Sequence, residues 1–484
     1  MYISKFQTLS NMTLVHLSLA ASGTDVVHFD TSIEPEVTLG DARRQVASLL
    51  NQEVECIQFL TVVGFELRGP ATGGVPATGG GPATGGSQFD DNEKLSELGK
   101  NRLSIIIDQS PLQTKLLAAC RLEDWSQLSS CRTLIAEEKR LLALPDLICE
   151  LPQLEALCVQ KNLLSALPND IGQLAMLKGL YAYQNLLWHL PLSIGMLTEL
   201  TQLRIAQNRL TELPESICQL KSLKCLWVSE NQIRELPESI GELTALQELY
   251  VYKNYLSALP KSIVNLKSLR HLLAQRNVLE AVPENIGELS ALVELNLTDN
   301  RLTALPESLG RLSLLTVFDV NHNKLLELPQ SIGALLALEE LHAGENQLSG
   351  LPESIGRLKA LKELDLSSNQ ILKLPDSIGE LSSLKWLFVN ENRLYRLPDS
   401  ICELKALEEL HVHHNSLYAL PEDIGELEAL NYLHVYGNPI FLLPPSIRRL
   451  RCWVWGHVYH ESGVIVRESS VQSYEASAQM CKLL

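Results

Sequence analysis

Aromatic residues are scarce in this 484-residue chain, at 5% of the sequence, although 45% of its residues are hydrophobic. The apolar content is therefore mostly aliphatic, chiefly leucine. Basic residues are also scarce, because 40 lysines and arginines stand against 57 acidic residues and give a formal net charge of −17. This charge argues against nucleic-acid binding, which needs a basic surface to neutralise phosphates, and against docking on anionic membranes.

Long hydrophobic runs and catalytic motifs are absent from the sequence as well. No run of 18 or more apolar residues occurs, so no transmembrane helix and no membrane insertion are predicted. Polar residues interrupt the first 23 positions, which makes them a poor signal peptide. Because no GxSxG, HExxH, Walker or protein-kinase motif is present, we expect neither enzymatic activity nor a cofactor.

The ten cysteines form neither a CxxC motif nor a close cluster. We therefore expect reduced thiols that pack as small hydrophobic residues. Reduced thiols are typical of cytosolic or nuclear proteins, and on this basis we predict a cytoplasmic location.

A 23-residue repeat runs through most of the chain. Asparagine recurs at this spacing from Asn162 to Asn438, and proline recurs on the same period from Pro145 to Pro444, with no insertion. Leucines stand at fixed distances before each asparagine, as before Asn300 at Leu292, Leu295 and Leu297. This is the LxxLxLxxN pattern of the leucine-rich repeat.

The spacing within one repeat predicts its local structure. Leu295 and Leu297 are two residues apart and face one side of a short strand, whereas Glu294 and Asn296 face the other. Asn300 ends the strand in a turn, where its amide can bond backbone groups that no strand pairing serves. One repeat cannot bury its own apolar side, so stacked repeats are expected to form a solenoid with a parallel sheet.

The repeats are expected to span residues 131–450, beginning with a degenerate repeat in which Lys139 replaces the asparagine. Residues 110–130 contain several leucines and Trp125, and they are predicted to form a helical N-terminal cap, because the open end of a solenoid must be covered. Residues 451–484 are predicted to form a C-terminal cap and tail.

A separate domain is predicted over residues 12–109, which lack the repeat. A glycine-, proline-, alanine- and threonine-rich stretch at 69–86 is predicted to be a flexible loop. The alternative, a phosphate-binding loop, lacks the lysine and helix that such a loop needs. The remaining predicted elements of this domain are strands at 12–20 and 26–30, a helix capped by Thr38, a strand pair within 57–67 and a strand at 103–107.

This N-terminal order of elements resembles a ubiquitin-like β-grasp domain. The residues that carry the resemblance are Ile57–Leu67 (IQFLTVVGFEL) and Asp91–Asp108 (DNEKLSELGKNRLSIIID). The chain continues after Asp108 without a terminal diglycine, so this unit is not expected to be a conjugated modifier.

Binding residues are expected on the solvent-facing side of the repeat strands, at six, four and two positions before each asparagine. There the sequence defines three zones. The first aromatic zone comprises Tyr181, Tyr183, Trp227, Tyr250 and Tyr252. The acidic zone comprises Glu294, Asp319, Glu340, Glu363 and Asp365. The histidine zone comprises Trp386, Phe388, His411, His413, Tyr432, His434 and Tyr436. Regularly spaced outward aromatics are typical of an interaction surface, whereas the alternative is a ladder of stacked rings without a partner.

Three histidines in the last zone allow a more specific alternative. His411 and His434 occupy the same place on adjacent strands, and His413 lies on the same face, with Glu409 near. Three imidazoles at that separation could hold zinc, and a pH-dependent partner contact is also possible. Solvated or stacked histidines are the simpler interpretation, so no metal site is predicted.

The full repeat, LPxSIGxLxxLxxLxLxxNxLxxLP, resembles that of the intracellular Ras-group leucine-rich repeat proteins. This resemblance implies an α/β horseshoe with a concave parallel sheet, and a cytosolic scaffold linked to small GTPase, kinase or phosphatase partners. We therefore predict a non-enzymatic, protein-binding scaffold in signal transduction. The alternative is a client receptor or adaptor of the ubiquitin–proteasome system that uses the ubiquitin-like domain.

Overall fold

The computed structural model describes residues 14–21, 25–32, 60–65, 103–107, 110–120, 125–441, 443–450 and 452–455. Within them the chain forms a four-stranded sheet near the N-terminus and a 15-stranded parallel sheet built by the repeats. The predicted solenoid is thus confirmed, and its sheet is curved.

The four-stranded sheet has the order β2-β1-β4-β3. Strands β1 and β4 are parallel, and the outer strands run antiparallel to their neighbours. The predicted helix at Thr38 and the loop at 69–86 lie outside the described residues, so the β-grasp domain stays a prediction. The strand bounds are β1 Leu14–Ala21, β2 Asp25–Ser32, β3 Leu60–Phe65 and β4 Leu103–Ile107.

Between the two sheets, helix α1 (Ser110–Cys120) is followed by a short 3₁₀ helix, Trp125–Leu128. Leu116 and Leu128 are buried and continuous with the core of the repeats. These two leucines extend the apolar core beyond the first repeat strand, in the segment that the sequence assigns to a cap.

Each repeat contributes one three-residue strand and one 3₁₀ helix. The strands are β5 Thr133–Ile135, β6 Ala156–Cys158, β7 Gly179–Tyr181, β8 Gln202–Arg204, β9 Cys225–Trp227, β10 Glu248–Tyr250, β11 His271–Leu273, β12 Glu294–Asn296, β13 Val317–Asp319, β14 Glu340–His342, β15 Glu363–Asp365, β16 Trp386–Phe388, β17 Glu409–His411, β18 Tyr432–His434 and β19 Trp453–Trp455. The 3₁₀ helices are Asp146–Glu150, Ile171–Gln173, Leu192–Met196, Glu215–Gln219, Ile240–Glu242, Lys261–Asn265, Ile286–Glu288, Glu307–Arg311, Gln330–Ala334, Glu353–Arg357, Asp376–Glu380, Asp399–Glu403, Ile424–Glu426 and Pro445–Arg449.

Leucine stacking between repeats forms the core. The middle residue of each strand from β5 to β18 is buried and pairs with its counterparts 23 residues away, as Leu295 does with Leu272 and Phe318. The isoleucine of each LPxSI segment is also buried, for example Ile286. Each such side chain contributes about 1.5–3 kcal/mol by leaving water, and the contribution requires a neighbouring repeat on either side.

The repeated asparagines bond the backbone of two successive repeats. Asn300 accepts a hydrogen bond from the Leu279 N–H at 3.0 Å and donates to the carbonyls of Ala274 at 3.1 Å and Leu297 at 2.9 Å. The same set recurs from Asn162 to Asn438. Because these backbone groups lie inside the turn, the asparagine side chain takes the place of a strand partner.

The residue before each asparagine has a left-handed backbone, with φ between 51° and 56° from Gln184 to His414 and 69° at Gly437. β-Branched residues are strained in that region, and none occupies this position in the repeats. The turn therefore disfavours β-branched residues immediately before each asparagine, a position at which the leucine pattern specifies no residue.

The last described strand, β19, pairs in parallel with β18 and continues the sheet past the last repeat asparagine. The rest of the predicted C-terminal cap lies outside the described residues. Among the described helices, none has the length and apolar character that crossing a membrane requires.

Candidate protein-binding surface on the concave face

The solvent-facing side of the 15-stranded sheet, here called the concave face, carries all of the predicted site residues. Their side chains alternate along each strand with buried residues, so they form rows at six, four and two positions before the asparagines. Neighbours in one row are in register on adjacent parallel strands, which lie about 4.8 Å apart. A side chain on this face is therefore surrounded mainly by residues 23 positions before and after it.

In the first aromatic zone, the rings are organised around Arg204. Its guanidinium carbon lies 3.8 Å from the centroid of the Trp227 ring and 5.5 Å from that of Tyr181. Trp227 stacks in turn on Tyr250, with ring centroids 4.9 Å apart and planes inclined by 16°. A cation held over a tryptophan face is attracted by the ring quadrupole, so this cluster presents a guanidinium among apolar rings.

Trp227 and Tyr181 are hydrogen-bonded within this cluster, whereas the buried Nε of Arg204 has no hydrogen-bond partner among the described residues. The Trp227 Nε1–H donates to Glu248 at 2.9 Å, and the Tyr181 hydroxyl donates to the side-chain oxygen of Gln202 at 2.9 Å. Burial and the neighbouring Glu248 carboxylate raise the pKa of Tyr250 to about 12, so this hydroxyl stays neutral. Tyr183 and Tyr252 are partly exposed on the row that follows the strands.

The acidic zone contains histidines among its carboxylates. His271 Nδ1 lies 2.9 Å from Glu294, and His342 Nε2 lies 3.3 Å from Glu363. Burial acts to lower the pKa of His342, but the carboxylates of Glu363, Asp319 and Asp365 outweigh burial and raise this pKa above its usual value. The carboxylates of this zone therefore favour the protonated form of the His342 imidazole. Glu340 and Glu363 are direct neighbours on adjacent strands.

The histidine zone begins with two partly exposed aromatic side chains on β16. Trp386 lies between Glu363 and Glu409 in its row, with the Lys385 ammonium 5.7 Å from its ring centroid. Phe388 lies between Asp365 and His411, and its ring centroid is 4.7 Å from that of His411. Tyr432 is 41% exposed and lies on the outermost part of this surface.

The three histidines of this zone lie in mutual contact. The rings of His411 and His434 stack with centroids 4.2 Å apart, and His413 lies 6.0 Å from each. One nitrogen from each residue lies within 4.8 Å of the other two, the one such group of metal-ligating side chains in the described part of the chain. Burial lowers the pKa to about 4 at His411, about 3 at His413 and about 4 at His434, so all three are neutral at pH 7.

His413 differs from the expectation that it is outward and accessible. Its side chain lies on the concave face but is only 6% exposed, because Tyr436 stacks on its ring with centroids 4.5 Å apart. Its Nδ1 has no hydrogen-bond partner among the described residues. The neighbouring rings of Tyr432 and Tyr436 are more exposed than that of His413.

Four residues that the sequence-based zones omit contribute to this surface: Arg204, Glu248, His271 and His342. Each occupies one of the three rows, and Arg204, His271 and His342 each stand 23 positions from a residue of a predicted zone, whereas Glu248 stands 21 positions from Trp227. The ring geometry around Arg204 needs the side-chain conformations and does not follow from spacing alone.

The eight cysteines within the described residues form no disulfide. Burial raises the pKa of the thiol to about 12 in Cys149 and Cys218, and to about 11 in Cys402. These three replace the glycine that most repeats carry in the 3₁₀ helix, and they are buried there. At these pKa values the thiols stay protonated. Since the thiolate is the reactive form, these three cysteines act as packing groups.

Comparison with known families identifies the repeats. A model described as leucine-rich repeat region matches residues 228–300 and 344–417, and one described as leucine rich repeat matches 198–256 and 313–371. A further leucine-rich repeat model matches residues 291–312. No curated protein sequence matches the chain significantly.

Several solved structures share the solenoid. A leucine-rich repeat protein of Leptospira interrogans is 31% identical, with a TM-score of 0.57, and the match covers 71% of this chain and 97% of that one. The plant peptide hormone receptor RGFR1 in complex with RGF2 is 27% identical, with a TM-score of 0.53 and coverage of 69% and 67%. YopM from Yersinia enterocolitica is 28% identical, with a TM-score of 0.51 and coverage of 72% and 68%. The chain belongs to the leucine-rich repeat family.

Proposed function

We propose that this protein is a non-enzymatic scaffold that binds a partner protein on the concave face of its repeats. The observation that carries the proposal is the row of partly exposed aromatic side chains on that face, above all Trp386 and Phe388. The leucines complete the core without these rings, so packing of the fold does not require aromatic residues at these positions.

The chemistry of the face fits a protein partner. Large rings that are already held by neighbours lose little conformational freedom on binding, which is why such residues dominate interface energetics. The first aromatic zone and the histidine zone lie on either side of the acidic zone. The face therefore favours a partner that presents basic residues between two apolar contacts. Charge complementarity would raise its association rate, and ring burial would supply most of its affinity.

The similarity to a receptor solved with its ligand supports the same use of the solenoid. The RGFR1 structure contains bound RGF2, and 67% of that receptor chain is matched here. The Ras-group resemblance of the 23-residue repeat supports a narrower version, a cytoplasmic scaffold whose partner is a small GTPase, a kinase or a phosphatase.

Capture from cell extract with the full-length chain tests the proposal. Replacing Trp386 and Phe388 by alanine removes both rings from the face without touching the leucine core. We expect the double variant to lose the proteins that the wild type captures, because removing a central aromatic residue of an interface costs about 2 kcal/mol or more. Its thermal unfolding should remain cooperative.

The matched control replaces two exposed aromatic residues outside the three rows, Trp188 and Tyr255, which are 56% and 57% exposed. This control should capture the same proteins as the wild type. Equal capture by the wild type and the Trp386→Ala, Phe388→Ala variant would remove the concave face as the binding surface.

A second candidate function, a client receptor of the ubiquitin–proteasome system, rests on the N-terminal sheet. Its supporting observation is the parallel pairing of β1 with β4 at the centre of that sheet, which suits the predicted β-grasp. The full chain should then capture ubiquitin-system proteins, and a chain that lacks residues 1–109 should not. If both chains capture them equally, this candidate is wrong.

A further inference from the structure

We propose that His411, His413 and His434 form a binding site for Zn²⁺ on the concave face. One ring nitrogen from each lies within 4.8 Å of the other two. Nitrogen ligands of tetrahedral zinc lie about 2.0–2.1 Å from the metal and therefore about 3.4 Å from each other. The group must close by little more than 1 Å to reach that geometry.

His413 provides an observation that stacking of histidines does not explain. Its side chain is 94% buried, and its Nδ1 has no hydrogen-bond partner within the described part of the chain. An unpaired buried acceptor or donor costs about 1–3 kcal/mol, and the packing of the fold does not require a histidine here. A metal ion bound by this nitrogen would remove that cost.

Glu409 gives the group the support that metal-bound histidines usually have. Its Oε2 lies 3.1 Å from Nε2 of His411, so His411 can donate to the carboxylate and keep its Nδ1 lone pair for the metal. A carboxylate behind a ligating imidazole fixes the ring and strengthens the ligand. Phe388 and Tyr436 border the group on two sides and limit the access of water.

The stacked geometry of His411 and His434 requires one adjustment. Their planes are inclined by only 11°, so their in-plane lone pairs cannot meet at one metal ion until a ring rotates. His434 lies on β18 in register with His411, and rotation of its ring about the Cβ–Cγ bond is the adjustment that the proposed site requires. Three imidazoles then occupy three positions, and water takes the fourth. Nitrogen donors select Zn²⁺ over Mg²⁺ and Ca²⁺, which prefer oxygen.

The experiment uses the full chain without a histidine tag, stripped with chelator and then dialysed against Zn²⁺ in the presence of excess Mg²⁺ and Ca²⁺. We expect one equivalent of zinc to be retained per chain. Replacement by Co²⁺ should give the intense visible absorption of a four-coordinate ion. The His434→Gln variant should lose the retained equivalent while its thermal unfolding without metal stays close to that of the wild type.

Two further variants complete the test. His342→Gln is the matched control, because His342 occupies the same row three strands earlier, and it should retain the zinc. Glu409→Gln should keep the site but weaken it by about tenfold or more, since it removes only the supporting carboxylate. No retained zinc in the wild type, or equal retention by His434→Gln and the wild type, would overturn the proposal.

Discussion

Two histidines in the same row of the concave face, His342 and His411, have opposite electrostatic environments. Both stand four positions before a repeat asparagine, three strands apart, and both side chains are mostly buried, at 20% and 17% exposure. The pKa of His342 is raised, whereas burial lowers that of His411 to about 4. Burial alone therefore does not decide whether a histidine on this face is charged.

The difference comes from the neighbouring strands. His342 pairs in register with Asp319 and Asp365, whereas His411 pairs with Phe388 and His434. The backbone gives both positions the same geometry, so the side chains around each ring set the chemistry, and for His342 these include the carboxylates of Glu363 and Asp319 on the adjacent strands. A repeat protein can thus change a site by substitutions in adjacent repeats while the backbone stays fixed.

The largest expected loss of stability comes from removing a repeat asparagine, whose hydrogen bonds to the backbone support the strands around both His342 and His411. Asn369, between the two regions, accepts from the Leu348 N–H and donates to the carbonyls of Ala343 and Leu366. Asn369→Ala leaves these buried groups unpaired, at about 1–3 kcal/mol for each group. We expect the free energy of unfolding, measured by urea denaturation, to fall by several kcal/mol.

The control for Asn369 is Asn285→Ala. Asn285 is exposed and makes no side-chain cap, so its loss should change the free energy of unfolding by less than about 0.5 kcal/mol. Similar values for the two variants would mean that the asparagine side chains do not support the turns.

A loss of stability of intermediate size is expected when Gly437, in the turn beside the histidine zone, is replaced. Gly437 has φ of 69°, and an added Cβ would collide with the ring of His414. Gly437→Ala should therefore cost about 1–2 kcal/mol for the left-handed backbone, and more for displacing His414. Thermal unfolding measures the loss.

Glu391→Ala is the matched variant for Gly437, because Glu391 occupies the same turn position with φ of 54°. It exchanges one non-glycine residue for another, so the strain does not change. If Glu391→Ala destabilised the protein as much as Gly437→Ala does, close packing of His414 would not be the cause.

The smallest expected effect is the change with pH in the stability that His342 contributes, and its sign tests whether the pKa of this histidine is raised. Its pKa is raised above the unfolded value of about 6.5, so the folded state binds the proton more tightly. The resulting stability is fully present below pH 6.5 and is lost as the pH rises through the folded pKa. His342→Gln should therefore cost more free energy of unfolding at pH 5.5 than at pH 9.

Glu363→Gln sharpens this result, since it removes the carboxylate nearest to Nε2 of His342 and should lower the pKa of that imidazole. Titration of the histidine by NMR measures the change. Glu353→Gln, an exposed carboxylate of the same repeat away from the concave face, should leave it unaltered. A larger cost of His342→Gln at pH 9 than at pH 5.5 would contradict the assigned sign.

The sequence predicts the repeat fold well because one period controls several constraints together. Leu295, Asn300 and Pro306 each recur without an insertion, and their spacing determines strand, turn and return segment. The period also predicts which residues share a row, and all of the predicted surface residues lie in those rows. The N-terminal domain has no such repetition. Its predicted strands at 12–20, 26–30 and 103–107 overlap β1, β2 and β4, whereas the strand pair predicted within 57–67 is represented in the described residues by the single strand β3.

Side-chain arrangement within the rows was not accessible from spacing. Arg204 stacks on Trp227 although a salt bridge to a nearby carboxylate is equally compatible with the sequence. His413 is buried because Tyr436 lies across it, whereas Tyr432, on the same strand region, is exposed. These outcomes depend on ring size, rotamer choice and competition for hydrogen bonds, which a one-dimensional pattern does not contain.

The direction in which the asparagines bond has a consequence for how the protein is made. Asn162 serves Ala136 and Leu141 of the preceding repeat, and each later asparagine does the same for the repeat before it. During synthesis, a turn therefore obtains its last polar contacts only after the ribosome has added the next repeat. Among the described strands of this sheet, none precedes β5, so an asparagine at the position of Lys139 would have no earlier repeat strand to serve.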